Sequence, residues 1–261
     1  MNSPLKDRVR SGELMLGSFA FLPSPGMVEV LGRSGLDFII IDQEHSRKSW
    51  ELVEDMVRAA QLAGIAPLIR VAWNEEKEIS HALETGAAGI VLPFVETADD
   101  VRRAAAAVRY APEGTRGTCT QTRAAGYGSR RRGFIEFAGQ SNRDVLLIGQ
   151  IESLAGLEQI DQIVGVEPGL DVVFLGRSDL ASELGKPGQT DDPVVEAASQ
   201  RIIDSARRAG RVCGLAHYDA SECRAWAQRG CSFFALASEV GFLYAKLNDF
   251  QRGVRAELGS S

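Results

Sequence analysis

Short apolar runs recur along this chain, and between them apolar residues fall three or four apart among charged ones. The first pattern suits buried strands; the second suits helices packed by one face. The clearest run is Phe38-Ile39-Ile40-Ile41, too short for an ordinary helix and rich in β-branched side chains. On this basis strands are expected at 14–20, 38–42, 66–71, 88–94, 145–152, 171–176, 211–216 and 232–237.

Helix signals lie between them. Pro25 suits the first turn of a helix to 33. Ser49 is placed to cap one ending near 64, Asn74 one running to 86, and Thr97 one through 108. Further helices are expected over 133–139, 155–164, 193–210, 221–230 and 240–254. Residues 112–131 interrupt the alternation with four glycines and several arginines. A loop of that length usually serves as a lid or a binding loop.

Eight strands alternating with helices predict a (β/α)8 barrel, one α/β domain over 1–261. The other arrangement for this pattern is an open doubly wound sheet, but no G-x-G-x-x-G follows the first strand. The 29 Lys and Arg against 35 Asp and Glu leave a net charge of −6, so there is no basic footprint for nucleic acid. No apolar run approaches the roughly 20 residues of a membrane span. The stretch from Met1 to Arg8 lacks the apolar core of a secretory signal, so a cytoplasmic location is expected. Cys119, Cys213, Cys223 and Cys231 form no C-x-x-C pair and read as reduced thiols, Cys213 buried and Cys119 accessible.

In a barrel the C-terminal ends of the strands converge on one face, where chemistry is done. The second strand delivers Asp42, Glu44 and His45, the third Arg70, the fifth Gln150 and Glu152; the sixth runs into Gly176-Arg177-Ser178-Asp179. Charged residues gather inside a protein only when paired or bound to a metal. Glu152 and Asp179 are candidate ligands of a hard divalent cation, Mg²⁺ or Mn²⁺, though a salt bridge or a helix cap would also use them. His45 suits a general base whose ring a neighbouring carboxylate holds. Arg70 suits clamping a carboxylate or an oxyanion, or pairing with the nearby acids. Ser178 and Asp179 follow a glycine, which suits their N–H groups to a substrate carboxylate. His217 ends the seventh strand within reach of the mouth, whereas His81 falls on a solvated helix face. No lysine ends a strand, which argues against a Schiff-base aldolase.

An ordered set of motifs runs through nearly the whole chain: Ile41-Asp42-Gln43-Glu44-His45, Ile69-Arg70-Val71-Ala72-Trp73-Asn74, Leu92-Pro93-Phe94-Val95-Glu96-Thr97, Gly114-Thr115-Arg116-Gly117, Gln150-Ile151-Glu152-Ser153 and Leu175-Gly176-Arg177-Ser178-Asp179. In this set the chain resembles the HpcH/HpaI aldolases, which include the 4-hydroxy-2-oxoheptanedioate, 2-dehydro-3-deoxyglucarate and 2-keto-3-deoxy-L-rhamnonate aldolases. The resemblance implies a metal-dependent pyruvate aldolase on a (β/α)8 barrel, cleaving a 4-hydroxy-2-oxo acid to pyruvate and an aldehyde. It implies Mg²⁺ or Mn²⁺, with Co²⁺ as a substitute, held by Glu152 and Asp179. Arg70 would stabilise the enolate oxygen, and His45, oriented by Asp42, would transfer protons. Gln150 and the amides of Ser178 and Asp179 would bind the keto acid. It further implies a homo-oligomer, trimer or hexamer, with the last helix exchanged between neighbours.

Two departures stand out: Gln43 where the family has Gly, and Arg177 where it has Pro. Arg177 raises the alternative of a catalytically silent barrel. The arginines at 116, 123, 130, 131 and 132 raise another, a citryl- or malyl-CoA-type lyase needing a phosphate site. His217 and Tyr218 are candidates for contact with the aldehyde half of the substrate.

Overall fold

The computed structural model describes residues 5–217 and 219–259. Eight parallel strands follow one another in chain order and close on themselves: β1 (Met15–Ala20), β2 (Phe38–Asp42), β3 (Ala66–Arg70), β4 (Gly89–Leu92), β5 (Leu146–Ile151), β6 (Val172–Leu175), β7 (Val212–His217) and β8 (Cys231–Ser238). Every expected strand is present. The helices around them are α1 (Leu5–Arg10), α2 (Pro25–Arg33), α3 (Trp50–Leu62), α4 (Glu76–Glu84), α5 (Ala98–Ala107), α6 (Phe134–Asp144), α7 (Leu154–Glu158), α8 (Ile160–Val164), α9 (Arg177–Glu183), α10 (Pro193–Arg208), α11 (Ala220–Arg229) and α12 (Glu239–Glu257). The fold is a (β/α)8 barrel. No helix among the described residues is long and apolar enough to cross a membrane.

Strand parity sorts the side chains. Phe38, Ile40, Leu68, Ile148, Val172 and Phe174 pack inside the barrel, while Ile39, Ile41, Ile69, Leu147 and Val173 pack outward against the helices. A fully buried strand needs apolar residues of both parities, which is why β2 reads as an unbroken run. Phe38 stacks on Phe233 with ring centroids 4.1 Å apart. Its ring crosses β1 at Gly17, where a Cβ would lie 2.3 Å from it. The same parity carries Asp42 on from Ile40, Arg70 from Leu68 and Gln150 from Ile148, so the polar ends of these strands enter the mouth. Asp42 and Arg70 are register partners on neighbouring strands.

Some boundaries differ from expectation. Asn74 does not cap α4; Glu75 holds that position, and the Asn74 amide donates to the Asp100 carbonyl at 3.2 Å. The helix expected over 133–139 runs on to Asp144 after a 3₁₀ turn at Arg131–Gly133. The segment expected as one helix over 155–164 divides at Gln159 into α7 and α8. Helix α1 lies beneath the barrel, where buried Lys6 pairs with Asp171 at 3.0 Å and donates to the Val145 carbonyl at 2.7 Å.

The long loop is not a lid over the mouth. It follows α5 and precedes β5, so chain order leaves it at the N-terminal end of the barrel. Arg123 donates to the Thr85 carbonyl at the foot of α4 at 2.6 Å, and Arg116 stacks on Tyr110 with 4.4 Å to the ring centroid. Arg116, Arg123 and Arg130 line a cavity with Ala66, Ala88 and Val145, residues at the beginnings of β3, β4 and β5.

Candidate active site

Asp42 ends β2 fully buried, and its carboxylate organises the turn that follows. It accepts the backbone N–H groups of Glu44 at 3.2 Å and His45 at 3.0 Å, and Nε–H of Arg70 at 2.6 Å. These bonds occupy both oxygens. Asp42 therefore fixes the backbone of His45 and not its ring, correcting the expectation that it orients the imidazole. The ring is 58% exposed, and its Nε2 lies 3.7 Å from Oε2 of Glu44.

Arg70 is the hub. Besides Asp42 it meets Glu44 through Nη1 at 2.9 Å, reaches Oε1 of Gln150 at 3.5 Å, and lies over the ring of Phe19 with 4.8 Å to the centroid. Gln150 in turn donates to Oε2 of Glu152 at 2.8 Å. The other oxygen of Glu152 accepts the N–H of Phe94 at 2.7 Å. Phe94 takes a φ of +45°, a conformation side chains rarely adopt, which turns its N–H toward the carboxylate. Ala237, at the end of β8 and lining the same mouth, has a φ of +46°. Strained backbone of this kind collects at functional sites.

Glu152 is only 2% exposed. Burial pushes its carboxyl up to about 7, with Glu44 and Asp179 adding to the rise and Arg70 and the Phe94 N–H opposing it. Burial also pushes Glu44 up, against the pull of Arg70 and His45. Asp179 sits exposed in the first turn of α9, with no side-chain hydrogen bond or ion pair among the described residues. A cavity of about 410 Å³ at the C-terminal mouth is lined by His45, Arg70, Gln150, Glu152, Ser178 and Asp179. Of the seven predicted site residues, only Asp42 lies behind this wall.

Among the described residues, no three or more His, Cys, Asp or Glu side chains gather as a ready-made metal cluster. The donor set here is smaller: two carboxylates and an amide, all hard oxygen donors. One carboxylate is unpartnered and the other is raised partly by its negative neighbours, so the cavity wall has the charge and chemistry to receive a divalent cation.

Other candidates separate from the mouth. Arg177 lies at the cavity edge, but its guanidinium turns outward: it donates to the Thr190 carbonyl at 2.6 Å, pairs with Glu196, and covers the Trp226 ring with 4.4 Å to the centroid. Buried Gln43 closes the loop after β2, exchanging hydrogen bonds with the Lys48 backbone at 3.0 Å each way. His217 lines the cavity and pairs with Glu222. Tyr218 lies outside the described residues. His81 is exposed and meets Trp50 edge-on. Cys119 is exposed and Cys213 buried.

Sequence reasoning missed Lys48, whose ammonium donates to the Asp42 carbonyl at 2.6 Å and whose pKa burial lowers. Its one signal was its place six residues beyond a strand end. Among the described residues, no lysine lines the cavity that holds Glu152 and Asp179.

The sequence profile of the HpcH/HpaI aldolase/citrate lyase family matches residues 15–245. The chain belongs to this family. Family membership makes it an enzyme of the aldolase and lyase class, acting on small molecules. It is 34% identical over 236 residues to a 5-keto-4-deoxy-D-glucarate aldolase of Salmonella paratyphi A, covering 90% of each chain. Among solved structures, an HpcH/HpaI aldolase/citrate lyase family protein from Burkholderia cenocepacia J2315 superposes with a TM-score of 0.90 at 31% identity, covering 96% of this chain and 98% of the other. The citrate synthase SbnG superposes with a TM-score of 0.89 at 29% identity, covering 98% and 99%.

Proposed function

We propose that this enzyme is a divalent-metal-dependent pyruvate aldolase that reversibly cleaves a 4-hydroxy-2-oxo acid to pyruvate and an aldehyde. The observation that carries this reading is the convergence of Glu152, Asp179, Arg70, Gln150 and His45 on one cavity at the barrel mouth. Glu152 and Asp179 would hold the ion, Mg²⁺, Mn²⁺ or Co²⁺, which supplies Lewis-acid polarisation of the keto oxygen.

The chain's own groups do the rest. Arg70, fixed by Asp42 and Glu44, presents a preorganised cation where the enolate oxygen gains charge. Gln150 is pinned between Arg70 and Glu152 and orients the keto acid. The N–H groups of Ser178 and Asp179, in the first turn of α9, receive the substrate carboxylate. His45 accepts the proton of the 4-hydroxyl as the C3–C4 bond breaks and the aldehyde leaves. The proton returns to C3 as pyruvate forms.

Exchange of the pyruvate methyl hydrogens with D₂O tests the reading. The exchange is expected with metal and lost with EDTA; equal, background exchange in both overturns it. A second reading, addition of an acetyl-type unit to a 2-oxo acid, draws on the likeness to SbnG. Of the five arginines that suggest a CoA-thioester substrate, Arg116, Arg123 and Arg130 line a cavity at the other end of the barrel and give that reading no support at the mouth. Arg177, held by the Thr190 carbonyl and Glu196, does not by itself favour a silent barrel.

Helix α12 supports the expected assembly of several copies. Leu243, Leu247, Phe250 and Val254 form one exposed apolar stripe on it, and Glu239 is the only buried residue of the helix. A stripe of this kind covers a partner, and in this reading the partner is a second copy, in a trimer or hexamer.

A further inference from the structure

Besides the keto-acid groups, the cavity is walled by Phe21, Thr190, Asp191, Ala216, His217 and Glu222, most of them from the loop after α9 and from β7 and α11. Nδ1 of His217 accepts the N–H of Asp219 at 3.2 Å, so the ring hydrogen sits on Nε2. Nε2 lies 2.7 Å from Oε2 of Glu222, to which it donates. The histidine thus holds a carboxylate at the rim, and its own hydrogen is committed to that carboxylate. Asp191 adds a second carboxylate, well exposed although its Oδ1 lies 3.5 Å from Nη2 of Arg177.

Among the described residues, each cation that lines this cavity is already engaged by carboxylates. The lining residues include two arginines and no lysine. Arg70 belongs to the keto-acid end, where Asp42 and Glu44 fix it. Arg177 is only 7% exposed, lies over Trp226, donates to the Thr190 carbonyl, and is shared between Glu196 and, at 3.5 Å, Asp191, so two carboxylates face its one charge. An aldehyde carrying a carboxylate would bring its charge against Asp191 and Glu222. An aldehyde carrying hydroxyls would donate to those same oxygens.

Building on the pyruvate reading, we propose that His217 and Glu222, with Asp191, make the acceptor end selective for neutral hydroxyaldehydes and exclude aldehydes bearing a carboxylate. The selection is repulsive as well as attractive, which is how a site rejects a near-isostere.

The test compares glyceraldehyde with tartronate semialdehyde, which differ only in a terminal CH₂OH against COO⁻. Aldol addition to pyruvate is followed with the full-chain enzyme and Mn²⁺. The neutral aldehyde is expected to win in kcat/KM by about tenfold or more. Glu222→Gln and Asp191→Asn are each expected to narrow that ratio, chiefly by lowering KM for the anionic aldehyde. Should one variant fail to fold, the other decides. Preference for tartronate semialdehyde, or a ratio that neither variant moves, overturns the inference while methyl exchange by the wild type leaves the pyruvate reading standing. Absence of exchange overturns that reading and this inference with it.

Discussion

Gly176 packs flat against Glu152: a Cβ on it would lie 2.3 Å from Oε2 and 2.4 Å from Cβ of that glutamate. Its φ of −89° is open to any residue, so space and not backbone conformation requires glycine here. Gly176→Ala is expected to push Glu152 off its bonds to Phe94 and Gln150 while the barrel stays folded. A displacement near 1 Å at a reacting site costs about 100-fold in rate. Methyl exchange should fall by that order with an unchanged circular dichroism spectrum; near-normal exchange would show that the position of Glu152 is not critical.

The raised carboxyl of Glu152 makes a pH prediction for the metal-free protein. Its folded value is about 7 against an ordinary 4.5. Between those pH values the folded state holds a proton that the unfolded chain has lost, so stability falls as pH rises through this window. The full difference is on the order of 3 kcal/mol. In EDTA, urea midpoints should drop between pH 5 and pH 8, and Glu152→Gln should be the more stable protein at pH 8. Equal pH slopes for the two proteins would remove the burial argument.

Much of this was legible because a strand's two-residue period is rigid. Once Phe38 to Asp42 is read as a strand, Asp42 must share the side of Phe38 and Ile40, and the same logic carries Arg70 and Gln150 inward. Contacts between residues distant in the chain were not legible. Nothing local distinguishes Lys6, which closes the barrel floor on Asp171, from a solvated lysine. The arginines of the long loop looked like a lid until chain order set them at the opposite end. Asp42 beside His45 suggested a ring contact, but a short side chain at a turn bonds more readily to backbone N–H groups two and three residues on.

Arg177 is a departure with a structural explanation. Trp226 lies between its guanidinium and that of Arg229, at 4.4 Å and 3.8 Å from the ring centroid, and Glu196 pairs with both arginines. The residue therefore ties α9 to α10 and α11. Proline is sterically acceptable at the first position of a helix, the place Arg177 occupies in α9. Arg177→Pro should fold, lose about 1–3 kcal/mol of stability by urea unfolding, and keep methyl exchange within about threefold of the wild type. A loss of exchange well beyond that, at unchanged stability, would make Arg177 part of the chemistry.

Helix α12 is anchored at its start, where Oε1 of Glu239 accepts the N–H of Leu22 at 2.5 Å. Farther along, Leu247 is 64% exposed and Phe250 69% exposed. Burying side chains of this size against a partner contributes about 2 kcal/mol each, so losing both weakens assembly by about 4 kcal/mol, roughly a thousandfold in Kd. Leu247→Glu with Phe250→Glu keeps good helix formers in place while adding charge to the stripe. Sedimentation velocity should show the wild type as an oligomer and the double variant shifted toward the 28.2 kDa chain. A wild type that sediments as a monomer, or a variant that assembles as before, would free α12 of any role in subunit contact.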